Sequence, residues 1–163
     1  STPDCVPYYL SEKNVELFTR HKVYTETELH ARYEIKLDNY SKVLHIEAQT
    51  MLDMVWKDIL PAASAYTKEL AETVAAKKAI GGERLAGHMS VLLASATKKA
   101  EALEYALMGV KDITDTLALA RYYRDTIFAA MNELRIIVDE METHCAAKYW
   151  PYPSYGDILF SVK

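Results

Sequence analysis

Cysteine, glycine and proline are scarce in these 163 residues, at two, five and five. Cys5 and Cys145 lie far apart, and neither has a Cys or His at zinc-finger spacing. That excludes a small zinc module and makes a reduced, cytoplasmic setting the default. The few glycines form no phosphate loop, because Gly81-Gly82 lacks the G-x-x-x-x-G-K-S/T spacing. No serine sits in a G-x-S-x-G setting, so the usual hydrolase elbow is missing. Basic excess is also missing. With a net charge of −4 and a pI near 5.7, no cationic face is available for nucleic acid. The longest uncharged stretch, Leu85 to Thr97, falls short of the ~18 residues a membrane span requires. The start carries no secretory signal. No segment shows the strict alternation of a strand.

What is present is helical periodicity. From Thr25 to Gly81 there is no glycine until the last residue, and one proline, Pro61. Leu29, Tyr33, Leu37, Tyr40, Leu44, Ala48, Met51, Val55, Ile59, Ala62, Tyr66 and Leu70 recur in steps of 3 and 4. Such steps keep one face of a helix buried. Thr25 with Glu28 reads as a capping box, and Tyr24 with Leu29 as a hydrophobic staple. Lys77, Lys78 and Gly81 suit the far end. Pro61 has no amide hydrogen and its ring collides with the carbonyl of Lys57, which predicts a kink between Asp58 and Leu60.

The flanks are read the same way. Residues 1–10 hold two prolines and are expected to be irregular. Ser11 opens a short helix over 12–21. Gly81-Gly82 turns the chain into a helix over 83–108, with a seam of Ala86, Met89, Leu93, Ala96, Ala100, Leu103, Leu107 and Val110. Gly109 ends or bends it. Asp112 is expected to open a last helix over 113–148. Its seam is Ile113, Leu117, Ala120, Arg124, Ile127, Met131, Leu134, Val138, Met141 and Cys145. Arg124 is the odd member. Its stem packs while its head reaches water or an acid on the long helix, with Glu47 and Asp53 as candidates by type; the alternative is a ligand or subunit contact. After Trp150-Pro151 the tail packs five aromatics into residues 149–160, which must fold back on the bundle or dock elsewhere. The fold class is therefore all-α: an antiparallel bundle of three long helices, a short N-terminal helix and an aromatic C-terminal tail.

Chemistry is harder to find. A di-iron bundle needs Glu-x-x-His, but Phe18, Thr27, Lys42, Leu85 and Met141 precede the five histidines by three. His30 with Glu34, and Glu140 with His144, share helix faces and read as surface pairs. Glu133, Asp139, Glu140 and Glu142 crowd one end of the last helix and read as a solvated face, with a metal site as the lesser alternative. Lys98 and Lys99 are too few for an anion surface. No catalytic, cofactor-binding or metal-binding residue is assigned.

Longer segments carry a resemblance. Glu28 to Ile35 (ELHARYEI), Ile46 to Met54 (IEAQTMLDM) with Asp58 to Ala62 (DILPA), Tyr123 to Asp125 with Ala130 to Arg135 (AMNELR), and Lys148 to Asp157 (KYWPYPSYGD) resemble type III glutamine synthetase. They run in order from about Glu12 to Phe160. The resemblance implies the C-terminal helical region of an enzyme that condenses glutamate with ammonia, using ATP and a divalent metal, magnesium or manganese. Its nucleotide, metal and glutamate sites would lie in upstream domains. Residues 1–163 would then be a single helical domain, inactive alone, whose partners are the upstream catalytic domain and neighbouring subunits of a homo-oligomer. Ser1 in place of Met fits an excised piece. The competing reading is a free-standing helical interaction module whose tail grips a partner.

Overall fold

The computed structural model describes residues 1–76 and 82–160, and among these every regular element is helical. They are α1 (Thr2–Cys5), α2 (Glu12–Arg20), α3 (Glu26–Met54), α4 (Leu60–Ala76), α5 (Gly82–Met108), α6 (Thr116–Tyr122), α7 (Phe128–His144) and α8 (Tyr155–Leu159). Two π turns, Val55–Ile59 and Tyr123–Ile127, join α3 to α4 and α6 to α7 without leaving the helix. The expected features at Lys77, Lys78 and Gly81 lie outside the described residues. The all-α class and the three long helical stretches are as the periodicity predicts.

The chain forms two compact units. The first comprises residues 1–49 and 104–129, the second 50–103 and 130–163. In the first unit Val6, Leu37 and Ala120 are buried together, with Tyr33, Tyr40 and Leu117 packed against them. Leu29 and Ala48 are fully buried too. Ser41 is the polar exception, and its hydroxyl donates to the carbonyl of Leu37 at 3.1 Å, a bond the helix itself supplies. In the second unit the α5 seam delivers Met89, Ala96, Ala100 and Leu103 to the interior, and α7 delivers Met131, Leu134 and Met141.

The helix ends explain themselves locally. Thr25 and Glu28 form the expected box: the amide of Thr25 donates to Glu28 at 2.7 Å, and the amide of Glu28 donates to Thr25 Oγ1 at 3.2 Å. Those bonds hold the Glu28 carboxyl below its usual range. Tyr24 lies beside Phe18 (ring centroids 5.6 Å) and under the guanidinium of Arg32 (4.2 Å). At the end of α2, Lys22 takes a left-handed φ of 57°. The amides of Val23 and Lys22 return to the carbonyls of Phe18 and Thr19, closing a Schellman motif with lysine where glycine is usual.

Several expectations are corrected. Residues 1–10 are not irregular. Ser1 caps α1 with Asp4, Pro3 sits in the first turn, and Val6–Leu10 continue as a 3₁₀ helix. A first helical turn needs no amide from proline, so both prolines fit. Just before Pro61, where the kink is expected, the helix takes a π turn. The amide of Leu60 reaches the carbonyl of Val55, five residues back, and the extra residue makes room for the ring. Asp112 lies in a 3₁₀ turn, Gly109–Asp112. Asp115 opens the last helix instead, its carboxylate accepting from the amide of Ala118 at 2.7 Å. That helix stops at His144, and a separate turn follows in which the amides of Tyr149 and Trp150 both donate to the carbonyl of Ala146.

The second π turn moves the seam. It carries Tyr123 and Ile127 inward together. Tyr123 is 3% exposed and takes the interior place assigned to Arg124. Its hydroxyl lies 2.9 Å from His45 Nδ1. Arg124 stands at the margin, and its partners are not on the long helix. The guanidinium donates to Asp4 and Ser1 of the N-terminal segment and, through Nε and Nη2, to its neighbour Asp125. Neither Glu47 nor Asp53 is among these; Asp53 pairs with Lys57 at 2.8 Å. Hydrogen bonds from Ser1 and Arg124 hold Asp4 well below the usual carboxylate range, and Arg124 does the same to Asp125.

Candidate functional site

Three chemically distinct places emerge, each inside one unit. The first is the foot of the tail, in the second unit. Glu69, on α4, accepts from Lys148 Nζ at 2.8 Å and from the phenol of Tyr149. These donors lower the Glu69 carboxyl from its ordinary value, and the hydrogen bond to that carboxylate raises the Tyr149 phenol. Tyr149 also tilts against Tyr66, with ring centroids 5.6 Å apart. Next along, Tyr152 donates to Asp58 at 2.7 Å, and burial together with that carboxylate pushes its phenol up to about 12. The aromatic tail therefore folds back on its own unit as far as Tyr152. Ser154 and Asp157 then form a capping box that starts α8. Beyond the box the apolar side chains turn outward: Tyr155, Leu159 and Phe160 are 82%, 69% and 81% exposed.

The second place is a groove in the first unit, bordered by Val6, Tyr9, Lys36, Tyr40 and Glu47. Lys36 lies 5.6 Å above the Tyr9 ring. Its charged groups do not converge, so it offers contact area without chemistry.

The third place brings together residues that lie 52 to 56 positions apart in sequence. Glu140 and His144 share a face of α7, as their spacing requires. His88, on α5, meets them. His88 Nε2 lies 3.0 Å from Glu140 Oε1. The His88 and His144 rings stand edge to face, 4.9 Å between centroids. One donor atom from each of the three lies within 4.8 Å of the others. The placement follows from the seams. Met89 and Met141 are fully buried, and each adjoins a member of the trio, so His88 and Glu140 are set at the rim of a fixed interior layer. Sequence reading paired Glu140 with His144 but had no means of placing His88 against them, since no local spacing encodes a contact between α5 and α7.

The crowded acids near the end of α7 are otherwise separated. Glu133 pairs with Lys99, and Asp139 with Arg135 at 3.4 Å. Glu142 borders the hollow beneath Trp150 and Tyr152. Cys145 is buried, which raises its thiol above the ordinary value and removes it from consideration as a nucleophile. Among the described residues no helix is long and apolar enough to cross a membrane.

Comparison with known proteins decides the family. Residues 1–78 match the family model of the glutamine synthetase C-terminal domain. Nearly the whole chain (99%) aligns at 40% identity with a glutamine synthetase of Butyrivibrio fibrisolvens, of which it covers 24%. The chain belongs to the glutamine synthetase C-terminal domain family. A type-3 glutamine synthetase of Dictyostelium discoideum aligns at 32% identity over 98% of the chain and 23% of that protein. A glutamine synthetase of Bacteroides fragilis (strain YCH46) aligns at 24% identity, again over 98% of the chain and 23% of the relative. The chain thus spans about a quarter of the length of the glutamine synthetases it matches. The matched family agrees with the resemblance carried by ELHARYEI, IEAQTMLDM and KYWPYPSYGD.

Proposed function

We propose that this chain is the C-terminal assembly domain of a type III glutamine synthetase, and that the parent enzyme ligates glutamate and ammonia at the expense of ATP in the cytoplasm. The domain supports the union of subunits and makes no bonds itself. The ATP and hard divalent cation that the family implies do not fit the described residues of this chain. Magnesium or manganese with a triphosphate calls for converging carboxylates and a backbone cradle. In this chain Glu69, Asp58, Glu133 and Asp4 are each engaged by a separate lysine, tyrosine or arginine. No step of the ligation is therefore assigned to this chain, and its catalytic groups belong to the upstream domain.

The observation that carries the assembly role is the outward face of α8. A capping box fixes where that helix begins, yet Tyr155, Leu159 and Phe160 are left in water. Exposed apolar groups clustered on a defined element mark a contact surface. The catalytic domain or a neighbouring subunit is the partner this reading supplies.

Two experiments test it. In the parent enzyme, Leu159→Asp with Phe160→Asp should reduce the assembled particle to smaller species in sedimentation. An unchanged particle with unchanged activity overturns the assembly role. Supplied with ATP, glutamate, ammonia and magnesium, the chain alone should form no glutamine, and turnover would refute the division of labour.

A further inference from the structure

We propose that His88, Glu140 and His144 form a binding site for a borderline divalent cation of the zinc, cobalt and nickel class. This site is separate from the cations that serve ligation. Two imidazoles and one carboxylate are a donor set that such ions take, with a further position left to water. Hard magnesium avoids it, preferring oxygen donors throughout.

The geometry is close to what binding needs. Ligand bonds of about 2.0–2.1 Å to a tetrahedral ion place neighbouring donors roughly 3.3 Å apart. The His88 Nε2 to Glu140 Oε1 separation of 3.0 Å already lies near that value. The widest separation of donor atoms in the trio is no more than 4.8 Å. Closing it takes about 1.5 Å of movement, within reach of rotation at the exposed His144 side chain. The fixed parts stay fixed, because Met89 and Met141 anchor the backbone next to His88 and Glu140. Glu140 is half exposed, so solvent reaches the fourth position and a cation can enter without unfolding the unit.

Bound there, the ion joins α5 to α7. The ligands come from two segments far apart in sequence, so the unfolded chain offers no equivalent site and binding adds to stability. The site is a clip, and no reaction is assigned to it.

The test uses the full chain with cobalt(II) as a spectroscopic probe, then zinc(II) in competition. One equivalent of cobalt should bind and develop visible d–d absorption, and zinc should bleach it. With free zinc about a hundredfold above Kd, the melting temperature should rise by about 5–10 °C. His88→Ala and His144→Ala should each weaken zinc binding by about tenfold or more, whereas His30→Ala and His45→Ala should leave it intact. Circular dichroism establishes that the variants fold. Glu140→Gln provides a conservative check, keeping the shape and losing the charged donor. Absence of cobalt absorption at millimolar metal overturns the proposal. So does binding that survives both His88→Ala and His144→Ala.

Discussion

Tyr123→Ala tests the register of the last helix. The π turn places Tyr123 in the interior of the first unit, at 3% exposure, and leaves Arg124 at the margin. Removing the ring from a packed site costs about 3–5 kcal/mol, combining lost transfer energy with the cavity left behind. For a chain of this size that lowers Tm by roughly 6–20 °C. Because the chain folds as two compact units, amide exchange followed by peptide is the sharper assay. Protection in residues 29–48 should fall by roughly two to three and a half orders of magnitude, at tenfold per ~1.4 kcal/mol. Tyr123→Phe keeps the ring and loses only the contact with His45 Nδ1, so its cost should be about 0.5–1.5 kcal/mol. Arg124→Ala removes exposed pairs and should cost less than Tyr123→Ala. The reasoning fails if Arg124→Ala matches or exceeds Tyr123→Ala, because Arg124 would then occupy the seam.

Three other predictions concern single contacts. The Tyr152 phenol is raised from about 10 when unfolded to about 12 when folded, so the native state holds its proton longer. Its stabilisation is complete below pH 10 and is lost as pH rises toward 12; Tyr152→Phe should flatten stability over that window in alkaline melts. Truncation before Tyr149 removes the bonds to Glu69 and Asp58 and should lower Tm, whereas truncation before Tyr155 keeps both and should lower it by less. Equal effects of the two truncations would contradict the division of the tail at residue 155. At Gly109 an added Cβ would lie 3.0 Å from the Tyr122 hydroxyl, which donates to the carbonyl of Ala106. Gly109→Ala should therefore be near neutral alone, as about 0.5–1 kcal/mol of backbone gain opposes that crowding. In a Tyr122→Phe background the gain should appear in denaturant titrations, and its absence there would refute the steric account.

Much of this architecture is legible from residue order because helices are local. The twelve apolar positions from Leu29 to Leu70 are all buried or half-buried, and so is the α5 seam from Ala86 to Val110. The Thr25–Glu28 cap forms as its spacing dictates. The errors cluster where tertiary packing overrides local pattern. A strict alternation of 3 and 4 places Arg124 inside, four residues after Ala120. The π turn instead buries Tyr123, three after Ala120 and four before Ile127. Asp112 and Asp115 are equally good caps by type, and Asp115 is the one whose carboxylate meets a free first-turn amide, that of Ala118.

Sequence by itself determined the all-α class, the positions of the long helices and, through its longer segments, the glutamine synthetase family. Those depend on contacts between residues three and four apart, or on segments read whole. Only the tertiary structure decided that Arg124 meets Asp4, that Glu69 anchors Lys148 and Tyr149, and that His88 faces Glu140 and His144. Each of these joins side chains 50 to 120 residues apart. Which ends meet is set by how the apolar faces pack, a long-range balance that no local spacing records.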